Sequence, residues 1–219
     1  MEQENQITED KIFELYGEYL LDHAERPKNI YRFAKDNDFA EKDFYDHFSG
    51  FEQIEKRMLA NLFERSVVLA SEVNNSHEIT SKEKLLNVYF IFFENMTMNR
   101  SLVLMILGND KLHSAKISNQ LKETHRHFIK TLDFNDWEMI RKAKDDVKNL
   151  HEKAREEALW LHLVSAIEFW KKDNSPAFEK TDVFIEKTID TGFELLDNEP
   201  LRKLLDLGKF LFKEKLKKS

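Results

Sequence analysis

The apolar spacing of residues 28–57 leaves this chain few folds to choose from. In KNIYRFAKDNDFAEKDFYDHFSGFEQIEKR the large apolar side chains fall at Ile30, Phe33, Phe39, Phe44, Phe48 and Ile54, with Ala34 among them. That spacing suits two short helices, about Asn29–Asp36 and Ala40–Phe48, meeting at an angle over a third. Asn37-Asp38 stands at the corner, and after glycine these residue types adopt a left-handed backbone most readily. Two short helices joined by a tight corner make a helix-turn-helix, whose second helix can enter a DNA major groove.

Turns are scarce elsewhere. With 5 Gly and 3 Pro in 219 residues, the chain has few elements and long ones, and the fold class is all-α. Thr8 caps a first helix carrying Ile12, Leu15, Tyr16, Tyr19 and Leu20, which stops near Ala24 ahead of Pro27. Ser49-Gly50 breaks the chain before a fourth helix over Phe51–Val73, and Asn74–His77 is a loop. A helix from Ser81 runs into Leu85–Phe93, and Leu102–Leu107 is a second apolar run ended by Gly108. Helices apolar on all sides are buried, and both runs fall short of the roughly 18 residues that span a bilayer. Residues 112–131 read as one amphipathic helix. Asp133–Asp136 caps the next, which runs through Met139–Glu157 to Trp170 with a bend expected near Asn149. Pro176 opens another helix, and a last one ends near Lys218. The absence of cysteine excludes disulfides and thiolate metal sites, and the acidic MEQENQITED start lacks a signal peptide's apolar core. The expectation is a soluble cytoplasmic protein.

Two stretches resemble a known family. Phe33-Ala34, Asn37-Asp38-Phe39-Ala40, Phe44-Tyr45-Asp46-His47-Phe48, Gly50-Phe51-Glu52 and Ile54 follow, without a gap, the helix-turn-helix pattern of the TetR family of transcriptional regulators. Phe169–Thr181, with Asp173, Ser175-Pro176, Phe178-Glu179 and Thr181, resembles the C-terminal region of TetR-like proteins. It is also similar to the TetR-fold lipid-binding proteins of coenzyme Q biosynthesis. Physically this second motif is a helix stop, an Asp/Ser cap and a proline at the first position of the next helix. The resemblance implies a three-helix head at 1–50 and a helical body at 51–219 that binds a ligand and dimerises. It also implies that the fourth helix passes the ligand state to the head.

Charge placement bears on the head. Residues 1–60 hold 15 acidic and 8 basic side chains, a net −7 that accounts for the whole charge of the chain. Phosphate neutralisation needs cations, and those available for DNA contact are Lys28, Arg32, Lys35 and Lys42, with Tyr45 and His47 beside them. The reading helix offers Glu41, Asp43 and Asp46 against Lys42, and Phe51 stands where the family usually has a phosphate-contacting lysine. Operator DNA binding is therefore expected to be weak or atypical.

In the body, Tyr89, Phe90, Phe93, Met96, Met105, Phe128, Trp160 and His162 either line a cavity for an apolar small molecule or lipid, or simply fill the core. A homodimer interface is expected through Leu159, Leu163, Ile167, Phe184 and Phe193, because these exceed what one body buries. Histidines spaced like His125 and His127 cannot chelate as an i, i+4 pair would, so no metal is expected, and no cofactor motif appears. Without a nucleophile elbow, phosphate loop or paired carboxylates on an apolar face, no enzyme is expected. The tail Leu201–Ser219 holds seven basic and two acidic residues on an amphipathic pattern. It either packs on the body, meets an anionic membrane surface or meets an acidic head. The leading expectation is a ligand-responsive transcriptional regulator; the alternative is a lipid- or isoprenoid-binding protein that no longer binds DNA.

Overall fold

The structure, a computed structural model, describes residues 7–73, 79–134 and 145–197. Among these residues every regular element is helical, and the fold is all-α and TetR-like, with a small head on a larger body. The head comprises α1 (Glu9–His23), α2 (Ile30–Asp36) and α3 (Glu41–Tyr45). Thr8 and Asn29 cap α1 and α2 by accepting from Lys11 N at 3.2 Å and Arg32 N at 2.8 Å. The corner between α2 and α3 turns at Asp38, whose φ of 58° is the left-handed conformation its residue type tolerates. α3 is shorter than the apolar spacing predicts, because Asp46 to Phe48 leave the helix in a turn that still buries Phe48.

Aromatic rings fill the head. Phe33 meets Tyr16, Phe39, Phe44 and Phe51 edge-on with centroids 5.7–6.3 Å apart, a geometry that ring quadrupoles favour. Phe51 opens α4 (Phe51–Val73), whose first turns thus belong to the head's core and whose later turns enter the body. The body continues with α5 (Ser81–Met98), α6 (Arg100–Leu107), α7 (Lys111–Ile117) and α8 (Asn119–Lys130). The long α9 (Asp145–Lys172), a short 3₁₀ turn at Pro176–Phe178 and α10 (Glu179–Asp197) follow. α5 and α8 pack along α4, and α10 packs along α5. Phe63 of α4 lies at the centre, 5.2 Å from the Phe92 ring and 5.8 Å from Phe128.

Three expectations are corrected. The helix expected over 112–131 is broken at Ser118 into α7 and α8, so that Lys116 of α7 can reach Glu52 of α4 at 2.5 Å while α8 lies against α4's later turns. No break occurs at Asn149, since α9 runs unbroken through it. Pro176 opens a 3₁₀ turn, and the regular helix begins only at Glu179. No single described helix is long and apolar enough to cross a membrane; α5 and α6 together are, but they bend by 95° at Asn99 and carry much of the buried core. The expected tail helix from Leu201 lies outside the described residues.

Head, core and cleft: the candidate functional sites

On the head, the structure sorts the expected DNA contacts into free and engaged. Lys28, Lys42 and Tyr45 are exposed, and Lys35 lies 6.0 Å from the Tyr31 ring. Arg32 pairs with Asp36 at 2.9 Å one helical turn away. His47 Nε2–H donates to the Ile7 carbonyl at 2.8 Å, which ties the chain's entry into α1 to the turn that follows α3. Asp43 accepts from Ala40 N–H at 3.3 Å, so this carboxylate sits at the helix start where the dipole favours it. Phe51 stacks on Tyr16 at 5.3 Å and closes the head's core, which explains an aromatic at that position.

A buried polar lock fastens the head to α4. Glu55 is 2% exposed and accepts from the Tyr16 hydroxyl and from Arg26 Nε, each at 2.7 Å, with a second contact from the Arg26 guanidinium. Burial and the adjacent Glu55 carboxylate push the Tyr16 hydroxyl far above its usual value, and the hydrogen bond to Glu55 raises Arg26. A buried carboxylate held by both a hydroxyl and a guanidinium is stable only in this arrangement. Outside it, Arg57 bridges Glu9 at 3.1 Å and Glu64 at 2.8 Å, again joining α1 to α4. Glu52, between Lys116 and Lys56, is held down at about 2 by those two ammonium groups.

Inside the body the expected pocket residues separate. Tyr89 and Met96 are fully buried and Phe128 and Trp160 nearly so. Met105 is half-buried against the same core. Tyr89, Trp160 and His162 do come together, around a histidine the sequence reading set aside. His125 is fully buried, its ring centroid 5.9 Å from Trp160, with Nε2 2.8 Å from the Tyr89 hydroxyl. That hydroxyl has one proton and directs it to the Leu159 carbonyl at 3.3 Å, so His125 Nε2–H donates to Tyr89 and Nδ1 carries an unused lone pair. Burial, then the neighbouring His162, pulls His125 down to about 3. His162 stacks on Tyr89 and Phe184 and shares its Nε2 with the Thr188 hydroxyl at 2.6 Å. The signal for His125 was present: Leu121, His125, Phe128 and Ile129 share one face of α8, and that face is apolar.

Phe90 and Phe93 instead face a cleft of about 410 Å³ between α5 and the α9–α10 corner, together with Trp170, Phe178 and the side chains of Glu94 and Asp182. The corner has an unusual backbone. Ala177 and Phe178 both have positive φ, 51° and 58°, which costs an L-residue roughly 1–2 kcal/mol each. Asp173 compensates by accepting from Ser175 N–H and hydroxyl at 2.8 and 2.7 Å and from Thr181 N–H and hydroxyl at 2.9 and 2.7 Å. Burial works against its charge, yet these four donors hold Asp173 down at about 2. Arg100, at the start of α6, donates to the carbonyls of Trp170 and Lys171, both at 3.1 Å, and lies 4.4 Å from the Trp170 and Phe178 ring centroids. A cation thus caps the carbonyl end of α9.

On α9 and α10, Leu161, Phe169 and Val183 are exposed, and half-buried Phe184 stacks on Phe169 at 4.6 Å, while Leu159 and Phe193, also half-buried, pack against the core. Leu163 and Ile167, expected at an interface, point into the protomer's own core at 0% and 4% exposure. Among the described residues no group of three or more acidic or histidine side chains could hold a metal ion.

This arrangement of a helix-turn-helix head, a shared α4 and a helical body closed by an α9–α10 hairpin defines a class of protein, and comparison with known families gives its name. The family model for the tetracyclin repressor-like C-terminal domain matches residues 84–211. The chain belongs to the TetR family. A search of curated proteins returns no match.

Proposed function

We propose that this chain is a one-component transcriptional regulator, in which an apolar small molecule in the body displaces α4 and alters how two heads span a palindromic site. The observation that carries this reading is the double membership of α4. Phe51 and Ile54 lie in the head's aromatic core, Phe63 lies in the body's, and the Glu55 lock prevents the head from swivelling on the rod. A rigid helix shared by two cores transmits displacement at one end to the other. Head and body touch a second time where Leu102 of α6 comes within 3.1 Å of the space a Gly17 side chain would fill. A side chain at Gly17 would require Leu102 to give way by a few tenths of an ångström. Two heads follow from a homodimer through the outer face of α9 and α10, whose exposed Leu161, Phe169 and Val183 are the kind of apolar surface that association covers.

Footprinting of the gene's own upstream region at low salt tests the reading. A protected palindrome is expected, with protection lost when the body's ligand is supplied. A second reading, a TetR-fold lipid- or isoprenoid-binding protein without DNA recognition, is favoured by one feature: Glu41 and Asp43 on the reading helix, and Asp46 directly after it, face a polyanion with Lys42 alone to offset them there. No protected site at any salt, together with lipid extractable from the purified protein, would establish that second reading in place of the first.

A further inference from the structure

We propose that the cleft between α5 and the α9–α10 corner is a binding site for an amphiphilic organic cation. The proposal builds on the reading of the body as a ligand-binding unit and assigns the ligand's charge. On α5, Phe90, Phe93, Glu94, Thr97 and Met98 line the cleft at helical spacing. Trp170, Phe178 and Asp182 close the other side. Its volume, about 410 Å³, is in the range of small-molecule sites. The aromatic walls suit an apolar body, and Met98 at the rim, 69% exposed, is an adaptable flap.

Polar chemistry in the cleft then narrows the choice. Trp170 Nε1–H is spent on the Thr97 hydroxyl at 3.0 Å, and the Thr181 hydroxyl on Asp173 at 2.7 Å. Arg100 lies over Trp170 and Phe178, yet its N–H groups go to the carbonyls of Trp170, Lys171 and Asp173. What remains is a pair of carboxylates, Glu94 and Asp182, neither of which has an ion-pair or hydrogen-bond partner among the described residues. Burial, and then the like charges of Asp173, Glu94 and Glu179, raise Asp182, and no cation offsets them. An anionic headgroup would meet two carboxylates against a single hydroxyl donor, that of Thr97. A cation would meet two unpaired charges beside the rings of Phe90 and Phe93, which Arg100 does not cover. A neutral lipid would leave the repulsion between the carboxylates unrelieved.

Isothermal titration of the full chain with tetraphenylphosphonium, and with tetraphenylborate as an anion of the same shape, separates the alternatives. The phosphonium ion should bind and the borate should not. The Glu94→Gln, Asp182→Asn double variant should weaken phosphonium binding about ten-fold, since each partly exposed charge contributes modestly. Both side chains are exposed, so the variant is expected to keep its helical spectrum. Equal affinity for the two ions, or phosphonium binding unchanged in the double variant, would overturn the charge assignment while leaving an apolar ligand in place. Neither ion binding, while organic extraction yields a lipid from the purified chain, would show that the ligand lies elsewhere and overturn the site.

Discussion

At the scale of single residues, the buried polar side chains make sharp predictions. His125 is neutral in the folded chain, its value held at about 3 against 6.5 for a free imidazole. A group whose folded value is depressed in this way destabilises nothing above pH 6.5. Below it, the unfolded chain takes up the proton and the folded one does not, so stability falls until the pH reaches the folded value. The loss should be about 2 kcal/mol between pH 6.5 and 5 from His125 alone, read as a fall in the urea midpoint, and His162 adds to it in the same direction. A midpoint flat over that window would mean that His125 is solvated or charged in the fold. Glu55 makes the second prediction. Tyr16→Phe removes one of its hydrogen bonds and should lower unfolding stability by about 1 kcal/mol, whereas Arg26→Ala leaves the carboxylate with a hydroxyl alone and should lower it by about 2 kcal/mol, Arg26 being partly exposed. Equal losses would mean that the guanidinium contributes no more than a neutral donor.

At the scale of elements, legibility followed local signals. α4 begins where Ser49-Gly50 places it, and Asp38 turns the corner that its residue type allows. The break at Ser118 was not legible, because Leu121, Phe128 and Ile129 of α8 continue the amphipathic pattern of α7 and only packing on α4 sets the two apart. The cleft was half legible. Phe90 and Phe93 stand out in an aromatic run, but Trp170, Phe178 and Asp182 read as an ordinary helix–helix joint and join them only when α10 folds back along α5. The left-handed pair at Ala177 and Phe178 was invisible, since neither residue type prefers that conformation. The corner therefore carries a prediction of its own. Ala177→Gly should raise thermal stability by about 1 kcal/mol, the cost of a left-handed alanine, and Asp173→Ala should lower it by several times as much. Destabilisation by Ala177→Gly would mean that the corner is an ordinary helical turn.

At the scale of the whole molecule, two properties follow from surfaces that one protomer leaves unmatched. The first is association. Leu161, Phe169 and Val183 on α9 and α10 leave an apolar face that a second copy would cover, and light scattering at micromolar concentration should return twice 26.2 kDa. Replacing Leu161 and Phe169 with Glu should return the monomer, because both side chains are exposed and their loss costs the core little. A wild-type monomer at that concentration would remove the pairing of heads on which the regulatory reading depends. The second property is the field of the head. With 15 acidic and 8 basic side chains in residues 1–60, it repels a polyanion in general and must obtain any affinity from a few specific contacts. Fluorescence anisotropy shows whether a TetR-type head is made weak for DNA by its own carboxylates. Random duplex and the gene's own upstream region are titrated with the wild-type chain and with the Glu41→Gln, Asp43→Asn, Asp46→Asn variant over a range of salt. At physiological salt the wild type should not bind random duplex, whereas the variant should bind with a measurable salt slope. Sub-micromolar binding of random duplex by the wild type, with a steep salt slope that the variant leaves unchanged, would contradict that expectation.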